Sequence, residues 1–446
     1  MTVRTLTDEA AETADPVEHV LTYVLAYDDL ATDLTRTVRL PITSGELVIG
    51  RAPEGAPFGL AGGVLHVPDR WMSGTHATLS LHAGRASLRD AGSRNGTYVD
   101  GERITTRALR DGALIELGHS IACYRAVPAS RVAALEAAAA LRLGPTRTAC
   151  PEVAALLVDL SRIAPSTESV LVLGETGAGK EIVAQTIHRA SGRSGALISL
   201  DCGAIPDSLF EATLFGHRRG AFTGADEART GEIVRANGGT LFLDEVGNLT
   251  PAAQAKLLRA LETRRVTPLG SGDAQSVDVR WVAATNRELL ADTAFRADLL
   301  RRLAGYVARV PPLRARREDL GILTAHVFSE LGRARAAIAS PAARTLFSSD
   351  FPGNIRELRS TLRSAALLAG DGPITSAHLP AIVGAPVARE PSRPVETKKP
   401  TATEIEQALA AAGGNVVHAA QALGTSARQL YRWIEKYEIS VDHYRS

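Results

Sequence analysis

The sequence has little cysteine, no long apolar run and almost no net charge, and each shortage excludes something. Cys123, Cys150 and Cys202 are the only 3 cysteines in 446 residues, and they lie far apart. They form neither a metal-binding pattern nor a disulfide framework, which fits a reducing compartment. Hydrophobic residues make up 45% of the chain, yet no stretch of about 18 apolar residues occurs, so no membrane span is expected. The first residues, MTVRTLTDEAAETADP, are acidic and lack the apolar core of a secretion signal. Together these features lead us to expect a cytoplasmic protein. The formal net charge is +1, so any contact with nucleic acid must come from a local patch.

The length suits two to four domains, and the chain reads as a multidomain protein without internal repeats. Residues 1–18 read as a loose, disordered tail. Residues 19–126 carry short strands separated by turn signals such as Asn95-Gly96 and Asp100-Gly101, the pattern of a β-sandwich. Residues 127–146 form a helical linker, rich in alanine and leucine and stopped by Gly144-Pro145. Over 147–310 strands alternate with helices. The apolar runs Ser169–Leu173, Thr240–Leu243 and Val279–Ala284 predict the buried parallel sheet of an α/β fold. Residues 311–384 read as helical. Prolines at 386, 391, 394 and 400 mark 385–400 as an extended linker. Residues 401–446 hold three short helices, an all-α domain.

Gly174-Glu175-Thr176-Gly177-Ala178-Gly179-Lys180 follows a predicted strand and opens a predicted helix. Glycines there let backbone N–H groups wrap phosphates, the helix N-terminus favours negative charge, and Lys180 reaches the β- and γ-phosphates. Glu181 stands where the general motif has Ser or Thr, so Mg²⁺ leans on water and Asp244. Asp244-Glu245 closes an apolar strand; Asp244 is placed to hold the metal, and Glu245 to orient or deprotonate the attacking water. ATP and Mg²⁺ are the implied cofactors. Gly220-Ala221-Phe222-Thr223-Gly224-Ala225 puts an exposed phenylalanine in a glycine-rich loop, a poor way to build a core and a good way to touch a partner.

In this order the motifs resemble the bacterial enhancer-binding activators of sigma-54 RNA polymerase, AAA+ ATPases, over about 147–383. The resemblance implies that residues 220–225 contact the sigma factor and are moved by ATP hydrolysis. It implies that Thr285-Asn286 senses the γ-phosphate, and that Arg356, within Phe351–Leu358, points to the nucleotide from a helical lid. In Phe295–Leu303, Arg296 and Arg302 match the two arginine fingers that reach a neighbouring subunit's phosphate. Such a finger is worth roughly 10³–10⁵ in rate, and its use requires a ring, by resemblance a homohexamer. Arg301 reads as part of a solvated face. Asp201 stands where many members have an asparagine that restrains the catalytic glutamate, and an ionised aspartate cannot donate as an amide does.

Gly50-Arg51, Ser73-Gly74-Thr75-His76 and Ser93-Arg94-Asn95-Gly96-Thr97 resemble the forkhead-associated (FHA) domain, a phosphothreonine-binding β-sandwich. Arg51 supplies charge and a planar donor fork to a dianionic phosphate. Ser73 supplies a hydroxyl, Asn95 holds the peptide backbone, Arg94 adds a second phosphate contact, and His76 braces the loop. Gly74-Thr75 replaces the basic residues that many members carry there. The implied input is a phosphothreonine-containing protein, or a threonine of this chain, with the Val132–Leu135 helix relaying the signal.

Gly414–Ala420 begins a short helix, Gly424-Thr425 turns, and Ser426 caps a helix running to about Tyr437. This resembles the Fis-type helix-turn-helix. Arg428, Gln429 and Arg432 are placed to meet bases or phosphates, while Leu423, Leu430 and Ile434 read as core. Trp433 and Glu435 make one copy a modest binder, and several copies in a ring compensate by avidity. The whole chain reads as an ATP-hydrolysing activator that binds upstream promoter DNA and remodels the sigma-54 polymerase holoenzyme. The alternatives are an ATPase acting on a different protein and a non-catalytic, phosphopeptide-responsive DNA-binding regulator.

Overall fold

The computed structural model describes residues 15–40, 45–82, 84–141, 147–222, 225–287, 289 and 294–380. Of the C-terminal stretch it describes 402–412, 416, 419, 430, 434, 437 and 439. The chain divides into two compact units, 1–384 and 385–446.

The first unit opens with a sandwich of two six-stranded sheets. One has the order 36–39, 17–26, 120–128, 113–117, 97–99, 102–104; the other 106–108, 85–90, 77–82, 45–51, 64–67, 59–61. Tyr23, Ile49, Leu65, Leu79, Leu88 and Ile115 fill the space between them. The first strand starts at Val17, inside the stretch read as a tail, because its backbone is paired with the last strand from Val17↔Pro128 onward. It is buried without a break from His19 to Leu25, where a strand facing water on one side would alternate. Leu21 and Tyr23 face the sandwich core. Val24, Leu25, Tyr27 and Leu30 instead share a second core with Phe328, Leu346 and Phe347, far along the chain.

Helix Ala129–Ala140 follows at once, with Val132 packed on Val20 and Val127. Then comes a five-stranded parallel sheet in the order 197–201, 240–244, 280–285, 170–173, 306–309. Its strands read VLVL, TLFLD and RWVAAT because helices cover both faces. A short two-stranded ribbon, 216–217 with 229–230, leaves this body just before residues 220–225. Helices Leu320–Glu330, Ser340–Phe347 and Asn354–Ala369 form the lid. No helix among the described residues is long and apolar enough to cross a membrane.

The second unit includes helix Ala402–Ala411. Ile405, Leu409, Val416, Ala419, Leu430, Ile434 and Ile439 are buried together, so Leu430 and Ile434 are core as their spacing predicts. Residues 385–400, and Leu423, Arg428, Gln429, Arg432, Trp433 and Glu435, lie outside the described residues.

Candidate active site

Strand Val170–Leu173 delivers the glycine loop to the C-terminal edge of the sheet. Gly177 (φ 76°) and Gly179 (φ 100°) take the left-handed turns that aim Lys180 into the site. Lys180 is 6% exposed. Its Nζ donates to the Gly174 carbonyl at 3.1 Å and to Glu245 Oε1 at 3.0 Å. The Asn286 amide donates to Glu245 Oε2 at 3.3 Å, and its Nδ2 donates to Thr176 Oγ1 at 3.0 Å. Thr285 is fully buried, and its Oγ1 accepts from the Arg287 N–H at 3.1 Å. Three segments separated in sequence thus meet around one lysine and one carboxylate.

Asp244 pairs in register with Asp201 on the neighbouring strand. Burial pushes the Asp244 carboxyl up, Lys180 pulls it down, and Glu245 and Asp201 push it up again. Carboxylate oxygens facing one lysine are the donor set that suits Mg²⁺. Glu181 is exposed, with Gln185 Nε2 on its Oε1 at 3.4 Å, and contributes nothing to that set. Asp201 Oδ1 accepts the Gly203 N–H at 2.8 Å. Glu245 is held by Lys180 and Asn286.

The lid is fastened to the glycine loop. Asn354, 0% exposed and at φ 57°, accepts the Leu313 N–H at 2.7 Å and donates to Glu175 Oε2 and the Thr176 carbonyl at 3.1 Å. Arg314 forks onto Glu175 at 2.8 and 2.5 Å, and with Asn354 it outweighs burial and holds that carboxyl below its usual range. Arg316 donates to the Ala178 carbonyl. A Cβ on Gly177 would lie 2.3 Å from the Gly353 carbonyl oxygen and 3.1 Å from Arg356 Cβ, so the lid segment containing Arg356 abuts the loop. The side chain of Glu175, a residue of the predicted nucleotide loop, is engaged by the lid. Arg314, Arg316 and Asn354 went unassigned in the sequence; the arginine-rich run 311–319, PPLRARRED, was the available signal. Beside Ala178 and Gly179 lies a cavity of about 670 Å³, walled by Ile182, Val183, Leu323 and Ile355. Another of about 640 Å³ adjoins Gly174, Thr285 and Asn286.

Arg296 and Arg302 are not part of this cluster. Arg296 pairs with Asp298 at 2.6 Å, and Arg302 sits 3.6 Å from Glu262. Arg302 lines a separate cavity with Glu168, Trp281 and Gly305. Trp281 lies near the start of the strand whose other end carries Thr285.

Beyond the ribbon the Gly220 N–H donates to the Ala225 carbonyl at 2.8 Å and the Ala225 N–H to the Phe222 carbonyl at 3.0 Å. Thr223 and Gly224 lie outside the described residues. Phe222 is half-buried, not exposed as its glycine-rich setting predicts. Its ring meets His217 edge-on at 5.0 Å, which shields part of it from water.

In the sandwich, Arg51, Ser73, Arg94 and Asn95 are brought together. The Arg51 N–H donates to the Ser73 carbonyl at 3.0 Å, the Arg94 N–H to Ser73 Oγ at 3.2 Å, and Asn95 Nδ2 to the Trp71 carbonyl at 2.7 Å. Both arginine side chains are exposed. His76 is buried and braces the loops, accepting from the Ser73 N–H and donating to the Gly96 carbonyl, each at 3.2 Å. Burial lowers its basicity, which keeps this neutral arrangement.

Comparison with known proteins follows the same division. Residues 147–308 match the sigma-54 interaction domain, 314–394 the AAA+ ATPase lid domain, 47–118 the FHA domain, and 402–437 the bacterial regulatory protein Fis family. The transcriptional regulatory protein ZraR of Escherichia coli K12 is 42% identical over 290 residues, 63% of this chain and 66% of ZraR, just short of two thirds of its length. The regulatory protein LuxO of Vibrio cholerae is 46% identical over 223 residues, 48% of this chain and 42% of LuxO. The crystal structure of NtrX from Brucella abortus with ADP superposes with a TM-score of 0.50 at 28% identity, covering 66% of this chain and 70% of NtrX. The chain thus joins a sigma-54 interaction domain and its AAA+ lid to an FHA domain in front and a Fis-type helix-turn-helix behind.

Proposed function

We propose that this protein hydrolyses ATP and spends the energy on opening promoters bound by the sigma-54 polymerase holoenzyme. The observation that carries the reading is the convergence of Lys180, Glu245 and Asn286 at the glycine loop. Lys180 neutralises phosphate charge. Glu245 orients the attacking water and accepts its proton, and Asn286 and Arg356 report on the nucleotide. Asp244 would hold Mg²⁺, and the ion would supply charge neutralisation for a transferred phosphoryl group.

Arg296 and Arg302 sit outside this cluster, which suits service to a neighbour's nucleotide in a homohexamer. Residues 220–225 carry the contact to sigma-54, with Phe222 released from His217 as its working motion. Arg51, Ser73, Arg94 and Asn95 receive a phosphothreonine protein. Arg428, Gln429 and Arg432 bind upstream DNA, and the protein works in the cytoplasm. The test measures ATP hydrolysis and open-complex formation together. Phe222→Ala is expected to hydrolyse ATP yet open no promoter. Promoter opening at the wild-type level by that variant defeats the sigma-54 reading, and wild-type protein without ATP hydrolysis defeats the enzymatic one.

A further inference from the structure

The nucleotide cleft has a wall that the ATPase domain does not supply. Ala31 and Asp33, from the loop between the first two strands of the sandwich, line the same cavity as Ala178, Gly179 and Ile182. Asp33 forms an ion pair with Arg147, which lines that cavity from the segment leading into the ATPase domain. The carboxylate is fixed from both sides, since its other oxygen accepts the Thr35 N–H at 3.0 Å. The Asp33 side chain is 22% exposed and that of Arg147 65%, so the carboxylate is the anchored member and the guanidinium the one that would otherwise wander.

The loop cannot swing away. The Leu30 N–H donates to the Ala336 carbonyl, and the Ile338 N–H to the Tyr27 carbonyl, each at 2.8 Å. Any Cβ at Gly321 of the lid would lie 1.8 Å from the Val24 carbonyl oxygen, so the two backbones meet with no room for a side chain. Arg125 of the sandwich, 4% exposed, donates to Asp111 at 2.8 Å, to Glu152 of the first ATPase helix at 2.6 Å, and to Glu318 at the root of the lid. Separating these partners would leave charges buried without compensation.

We infer that Asp33 is a positioning residue of the nucleotide site. It holds the Arg147 guanidinium on the rim, where a fixed fork of donors meets the bound nucleotide, so the FHA domain is part of the substrate pocket. The inference rests on reading the cleft as the ATP site. It makes nucleotide affinity sensitive to a residue more than a hundred positions before the glycine loop, with no phosphopeptide or sigma factor present.

The test is calorimetric titration of ADP with Mg²⁺ into the full-length protein, unlabelled so that nothing crowds the rim. Asp33→Ala, Asp33→Asn and Arg147→Ala are each expected to weaken ADP binding about fivefold, the scale of one hydrogen bond. The double variant Asp33→Ala with Arg147→Ala is expected to bind no worse than Arg147→Ala alone, because Asp33 acts through Arg147. Asp33→Asn keeps an oxygen for the Thr35 N–H, so its result stands if Asp33→Ala folds poorly. Wild-type or tighter affinity in Asp33→Asn overturns the inference, as do fully additive losses in the double variant. If the wild-type protein binds no ADP, the reading of the cleft falls and takes the inference with it; if it binds and the variants match it, the inference alone falls.

Discussion

The glycine loop at 174–180 and the sandwich loops around Arg51 and Ser73 are the two sites proposed to bind phosphate, and they are built from opposite materials. At the glycine loop the cation is buried and already neutralised by Glu245. The main chain is held by glycines and by the lid through Asn354 and Arg316. In the sandwich the main chain is pinned by His76 and Ser73, while the Arg51 and Arg94 side chains stand in solvent. The first arrangement is preorganised, which is where charge placement has its largest effect on a reaction. The second leaves its cations hydrated, which suits recognition and release more than chemistry.

The sharpest way to break this comparison is at Glu245. Glu245→Gln is expected to lower ATP hydrolysis by about 10²–10⁴-fold, the usual contribution of a positioned base, while ADP binding by calorimetry persists. A variant that loses binding as well would make Glu245 a structural partner of Lys180 and not a base. Next is Arg51→Ala. A charged hydrogen-bond donor contributes roughly 1.5–3 kcal/mol, so phosphothreonine-peptide affinity is expected to fall about 10–100-fold. Fluorescence anisotropy with a phosphorylated peptide and its unphosphorylated twin reads this. Equal binding of the two peptides would end the parallel between the sites.

Gly177→Ala probes the main chain of the first site. Its positive φ and the Gly353 carbonyl 2.3 Å from the new Cβ predict a loss of about 1–3 kcal/mol in stability, read as a lower unfolding midpoint. An unchanged midpoint would mean that lid and loop are less tightly fastened than the contacts imply. The smallest effect is expected at Asp90, below the sandwich loops. Burial pushes its carboxyl up, but Ser93 and Thr97 hydroxyls and the Ser93 and Gly92 amides hold it below 3.8. A depressed carboxyl stabilises the fold above its unfolded value, and the contribution fades as pH falls through 3.8 toward the lower folded value. Denaturation between pH 5 and 3 is expected to be less acid-sensitive in Asp90→Asn than in the wild type.

Features whose chemistry is contiguous were readable directly. The run Gly174–Lys180 links its strand to its helix within one contiguous stretch, and Asp244-Glu245 closes the strand that precedes it. The prediction failed for Phe222 because exposure depends on a neighbour, His217, that the six-residue motif does not contain. It also failed at the first strand, where Val17 was assigned to a tail although its partner strand ends at Pro128. The partner of the Glu175 side chain, Arg314, lies 139 positions later, outside the motif.

The sequence by itself determined the order of the modules, the parallel sheet and the chemistry at the glycine loop, because local propensity and contiguous motifs suffice for each. Only the tertiary structure decided that the sandwich is no tethered sensor. Glu116 and Arg344 meet across 228 positions, and Val24, Tyr27 and Leu30 are buried by lid residues equally remote. A hydrophobic strand reports that it must be covered, but the hydrophobic effect is non-directional, so what covers it is settled only when the whole chain packs.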